Sequence, residues 1–181
     1  MKRLRLLILL LTACAHPRAA EQQPVPQGPV EQPQGPVEQT LRAVAGGAEI
    51  PSDFAVVYTD EHGMWGGTRI SISATGAYEW RYSNRERDES QRIEGSITEA
   101  QLRDLIGFMV ELRAWRQETP TRPPVPDESA ATLIIQAGGS EARMWEWYNE
   151  MRSSPGSRLS RIAARMGGLR AGLPPGAGPN P

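Results

Sequence analysis

The chain has 181 residues, with 20 Lys and Arg against 21 Asp and Glu and a formal charge of −1. That balance supplies no positive field for a nucleic acid, so none is expected as a partner. A single cysteine excludes an intramolecular disulfide and a cysteine-pair metal or redox motif.

Residues 1–13 read as an export signal. Lys2, Arg3 and Arg5 precede an apolar run from Leu6 to Leu11, and the small residues Thr12 and Ala13 come next. The run falls far short of the roughly 20 apolar residues that a spanning helix needs. Leu11-Thr12-Ala13-Cys14 resembles the lipobox of bacterial lipoproteins, with a branched apolar residue and two small ones before a cysteine. The resemblance covers residues 1–14. It implies a diacylglyceryl group on the Cys14 thiol, cleavage before Cys14 and acylation of the new amine. A thiolate is the strong side-chain nucleophile that such a thioether requires. Several acyl chains, at about 0.8 kcal/mol per buried methylene, anchor where one would be marginal. The resemblance further implies a lipid bilayer as partner and a place in the cell envelope. Because Ala15 rather than an aspartate comes after the cysteine, it favours the outer membrane over the inner. Ala13-Cys14-Ala15 also fits ordinary signal cleavage, which would release a soluble protein.

Residues 14–48 read as a tether. Pro26-Gln-Gly-Pro-Val-Glu-Gln32 is repeated at once as Pro33 to Gln39, and so polar a duplication is expected to be an extended spacer. Residues 49–166 have ordinary globular composition and suffice for one core. Residues 167–181, rich in Gly and Pro, read as a disordered tail.

Within 49–166, Phe54 to Thr59 is a short β-favouring run. Thr68 to Ala74 alternates Ile70 and Ile72 with Arg69, Ser71 and Ser73, Thr75-Gly76 is a turn, and alternation resumes at Tyr78, Trp80 and Tyr82. Ser83 to Ser90 reads as a charged loop, and Gln91 to Ser96 as an optional fourth strand. Thr98 and Gln101 have capping-box spacing, with Ile97 and Leu102 as a hydrophobic staple. Leu102, Leu105, Ile106, Met109, Leu112 and Trp115 then recur at helical intervals. Thr119 to Pro126 is a loop with four prolines. Thr132–Ala137, Gly138-Gly139 and Ser140–Tyr148 form a second hairpin. A last helix starts near Ser154-Pro155 and places Leu159, Ile162, Ala163 and Met166 on one side. The order β-β-β-(β)-α-β-β-α predicts an α+β fold: an antiparallel sheet of about five to six strands with two helices on one face. That layout resembles small uncharacterised domains of envelope lipoproteins, and the resemblance carries over no functional residue.

Site signals are sparse. The chain has no Gly-x-Ser-x-Gly, no His-Glu-x-x-His and no phosphate-binding glycine loop. His16 lies in the tether, so a catalytic triad would have to use His62. Asp60-Glu61-His62 offers part of a metal set, but neighbouring strand residues diverge and a metal needs three or four convergent ligands. The triplet, with Gly63 next to it, reads as a solvated turn, and no metal or cofactor is expected. Arg158, Arg161 and Arg165 share a helix side, and Arg81, Arg85, Arg87 and Arg92 are interleaved with Glu86, Asp88 and Glu89. Both sets read as solvated faces.

Met144 to Tyr148 stands out. On a strand, Trp145 and Trp147 share one face while Met144, Glu146 and Tyr148 share the other. Trp145 and Trp147 are the candidate ligand or partner face, with Glu146 to orient a polar group. The competing reading makes that face core, shielded by the Pro-rich loop or by Trp65. The expectation is a membrane-anchored, non-catalytic module that binds an envelope protein or cell-wall partner. The alternative is an envelope hydrolase using two carboxylates on glycan or peptide.

Overall fold

In the computed structural model, residues 35–62, 64–122 and 128–173 are described, all within one compact unit. Six antiparallel strands make one sheet: β1 (Ala55–Thr59), β2 (Gly66–Ser73), β3 (Ala77–Asn84), β4 (Glu89–Ser96), β5 (Ala130–Ala137) and β6 (Ser140–Trp147). Their spatial order is β4-β3-β2-β1-β5-β6. The first four strands meander outward from β1. Helix α2 (Glu99–Glu111) then carries the chain back so that β5 can pair with the free side of β1. The fold is α+β, as the element order predicts.

The period-two pattern decides which face is core. Val56 and Tyr58 pair with Ile72 and Ile70, and these with Tyr78 and Trp80. On the other flank Val56 and Tyr58 pair with Ile135 and Leu133, and Leu133 with Met144. All of these are buried, each large side chain contributing roughly 1.5–3 kcal/mol on transfer from water. The opposite face is half-exposed or exposed at every strand position except Trp147.

Helix α2 matches its sequence signature in detail. Thr98 Oγ1 accepts from the Gln101 N–H, and the Thr98 N–H donates to Gln101 Oε1, so two orphan donors of the first turn are satisfied. Leu102, Leu105, Ile106 and Met109 then face the core. The β4 strand exists and begins at Glu89, so the segment expected as a loop from Ser83 to Ser90 is the tight end of a hairpin, with Asp88 at φ 51°.

Three boundaries differ from expectation. First, the tether does not extend to residue 48. Pro36–Ala45 is a helix, α1, with Pro at its first turn and with Val37, Leu41 and Val44 buried. Those three residues sit at i, i+4 and i+7, one helical stripe inside what reads as a polar repeat. Arg103 closes the far end of α1 by donating to the carbonyls of Val44 and Ala48. Second, the strand expected to reach Tyr148 ends at Trp147, and a short helix is inserted before the last one. Helix α3 (Tyr148–Ser153) stops before Pro155, and α4 (Arg158–Gly168) starts at Ser157, whose hydroxyl accepts from the Ser160 N–H. Third, the tail does not begin at 167. Residues 169–172 form a 3-10 turn, Leu169 and Leu173 pack on the core, and Arg170 lies over the Trp80 ring at 4.5 Å. Cys14, with the rest of residues 1–34, and residues 174–181 lie outside the described residues.

Candidate functional site: an acidic and aromatic cavity at one end of the sheet

The two ends of the sheet differ. At one end the β5–β6 turn, Gly138-Gly139, has φ of 60° and 74°, the primed geometry that matches strand twist. Asp53 accepts from both glycine N–H groups, at 3.0 and 2.6 Å. The Gly139 hydrogen bond is the main reason its carboxyl is held below the usual range. This end is sealed.

The other end is open. Inward-facing positions alternate along β1 as Val56 and Tyr58, and the alternation continues one step past the strand to Asp60. The same step on neighbouring strands gives Tyr82, Ser129 and Tyr148. These residues line a cavity of about 360 Å³, together with His62, Trp65 and Glu128. Gly66 and Gly67 let β2 pass close beneath it. Their φ values are 85° and 149°, and a Cβ on either would lie 2.2 Å from the Ser83 carbonyl oxygen or 2.7 Å from that of Asp60.

Asp60 is the chemical centre of this end. Its Oδ1 accepts from the Thr68 N–H, and its Oδ2 accepts from the Tyr58 hydroxyl at 2.9 Å. Burial raises its pKa from the ordinary value, more than these hydrogen bonds lower it. No cationic side chain pairs with it among the described residues. Burial, reinforced by Asp60, also holds the Tyr58 phenol far above its usual range, and the Glu146 carboxylate acts in the same direction. Around the rim, His62 Nδ1 accepts from the Met64 and Trp65 N–H groups at 3.0 and 3.3 Å. The imidazole stacks against Trp65, and Met64 and Trp65 stand 59 % and 53 % exposed. Asp60-Glu61-His62 is thus not the solvated turn its sequence suggests: backbone hydrogen bonds carry the β1–β2 pairing on to a His62–Gly66 bridge, and Asp60 and His62 form one wall of the cavity. Asp60 points inward, Glu61 is exposed, and His62 Nδ1 is taken up by backbone donors. No group of three His, Cys, Asp or Glu side chains converges to hold a metal among the described residues.

Glu128 shares the cavity but is locked. Arg122 Nη1 and Nη2 donate to its two oxygens at 2.8 and 2.7 Å, while Arg122 Nε donates to Glu150 at 2.6 Å. Both carboxylates push the Arg122 pKa up, Glu128 most. The same guanidinium lies over the Trp147 ring at 4.8 Å.

That contact corrects the expectation for the tryptophan pair. Trp145 and Trp147 do share the outer face and meet edge-to-face, 5.0 Å between centroids. They do not form an open platform. Trp147 is 6 % exposed beneath Arg122, from the Pro-rich segment, and Trp145 is half-buried. Glu146 is on the inner face opposite Ala131, 8 % exposed, with its Oε2 lacking a hydrogen-bond partner among the described residues. The helix arginines are structural as well. Arg158 donates to the Leu112 and Arg116 carbonyls, Arg161 and Arg165 lie over Phe108, and Arg165 pairs with Asp104.

Tyr58, Asp60, Tyr82, Glu128 and Tyr148 carry no sequence motif that marks them as site residues. The signal they do carry is parity: extending the core alternation past each strand end places Asp60 and Tyr148 inward. No protein-family model matches the chain, and no curated protein matches it.

Proposed function

We propose that this chain is an envelope lipoprotein, anchored through acylated Cys14, whose domain is a binding module working at the open end of the sheet. The anchor rests on Leu11-Thr12-Ala13-Cys14 and the charged and apolar segments before it. One observation favours binding over the carboxylate-hydrolase alternative. Of the two carboxylates in the cavity, Glu128 has both oxygens engaged by Arg122. A carboxylate clamped in a bidentate pair is a poor nucleophile or base, whereas hydrolysis of a glycosidic bond needs two working carboxyl groups. Aromatic walls around a single available acid suit recognition.

Two measurements test the two halves. Intact mass and detergent partitioning of native protein should show cleavage before Cys14 with added acyl chains, both lost in Cys14→Ser. An unacylated, aqueous native protein overturns the anchor. For the module, a photo-reactive phenylalanine analogue at position 65 should crosslink in the intact envelope to a cell-wall fragment or an envelope protein. The same analogue at position 136, on the outer face near the sealed end, should not. Silence at 65, or equal labelling at both positions, overturns the module.

A further inference from the structure

The cavity has a chemistry more specific than its position. It places a half-buried carboxyl, Asp60, beside the rings of Trp65, Tyr82 and Tyr148. Both hydrogen bonds to that carboxyl come from neutral donors, the Tyr58 hydroxyl and the Thr68 amide. The guanidinium beside the cavity, Arg122, is engaged by Glu128 and Glu150. Asp60 therefore faces the cavity without a countercharge from the described residues. A buried carboxylate is costly unless a cation compensates it.

We infer that this cavity takes the ammonium group of a small organic cation, seated on Asp60 and enclosed by the aromatic rings. The inference rests on the binding-module reading and names its ligand class. Three features separate an ammonium from other cations. A metal ion needs three or more oxygen or nitrogen ligands converging on it, and no group of three His, Cys, Asp or Glu side chains converges among the described residues. A guanidinium prefers a carboxylate with both oxygens open for a fork, and each Asp60 oxygen already accepts one hydrogen bond. An ammonium is satisfied by one oxygen and by ring faces, which attract cations through their quadrupole. The volume, about 360 Å³, is at the small end for a ligand site and fits one amine-bearing side chain or a free alkylammonium.

The test is a calorimetric titration of the full chain, monitored in parallel by tryptophan fluorescence. The probes are N-acetyl-lysine methylamide, for a peptide-borne amine, and tetramethylammonium, for a free cation. N-acetyl-norleucine methylamide and ionic-strength-matched sodium chloride are the controls. Saturable binding of either ammonium is expected, with none for the controls. Asp60→Asn should weaken it about tenfold or more, because a charge-assisted contact is lost. Trp65→Ala, at a residue half-open to solvent, should weaken it without disturbing the fold. The absence of saturation with both ammonium probes overturns the inference, as does equal binding by the norleucine analogue or by Asp60→Asn protein whose melting remains cooperative. Crosslinking from position 65 separates the failures. A crosslink with no ammonium binding discards the ligand class and keeps the module, while silence in both discards the module.

Discussion

Strand β1 has an aspartate just beyond each end, and the two carboxyl groups live by opposite rules. Asp53 is exposed and accepts from two backbone N–H groups of the Gly138-Gly139 turn, which hold its pKa down. Asp60 is inward-facing, and burial raises its pKa despite a phenol and an amide donor. Seven residues and one change of exposure separate them. The difference teaches that a carboxylate in water can serve as a fastening, while the same group drawn under a sheet end resists ionising. One end of the sheet is fastened by its carboxylate, and the other leaves its carboxyl without a cationic partner among the described residues.

The strongest way to break that contrast is to loosen the sealed end. Leu41 on α1 is fully buried. Leu41→Ala should cost about 2–5 kcal/mol in chemical denaturation, the usual range for a core leucine. An effect near zero would mean that α1 is not part of the folded unit, and the contrast would lose its stable half.

The two aspartates sharpen it through opposite pH trends. A group whose folded pKa is lowered stabilises above its unfolded value and loses that contribution as pH falls through the folded one. Asp53→Ala should therefore melt below native protein near neutral pH, and the gap should close in acid. For Asp60 the folded pKa is raised, so the folded state holds the proton more tightly. Native protein should gain on Asp60→Asn as pH falls through the raised folded value toward the ordinary carboxylate value of 3.8. Melting curves of the three proteins from neutral pH to below 3.8 check both signs, because Asp53 loses its contribution only beneath that value. Parallel shifts for the two variants would erase the distinction.

The smallest expected effect is on stability at the rim. Trp65→Ala should change unfolding free energy by no more than about 0.5 kcal/mol, since a half-exposed ring at a loop lies outside the core. A large loss would show that Trp65 is a structural lid instead of a contact surface.

The regular parts of this fold are legible in the sequence because their local signals agree. The Ile70/Ile72 alternation and the Thr98–Gln101 box each specify one conformation and one buried side. Helix α1 is hidden because Val37, on its buried stripe, belongs to a heptapeptide whose first copy has the same letters. Only the residues just after the second copy, Thr40-Leu41-Arg42-Ala43-Val44, complete the stripe. The site is harder to see for a different reason. Asp60, Tyr82, Glu128 and Tyr148 come from four separate segments, and strand order rather than spacing assembles them. Aromatic density marks out Trp145 and Trp147, yet Trp147 is covered by Arg122 from 25 residues upstream in sequence, a contact no local pattern encodes.

The one-sided sheet leaves a mark on how this protein can vary. Along β2, substitutions at Ile70 and Ile72 disturb the packed side, whereas Arg69, Ser71 and Ser73 project where a new side chain meets little resistance. A complete substitution scan should therefore show tolerance flickering with a period of two through β1, β2 and β5. On β6 the rhythm should falter at Trp147, where the outer side is also covered. Sequence drift in such a molecule is channelled onto alternate residues, leaving the outer side free to change while the inner one stays fixed.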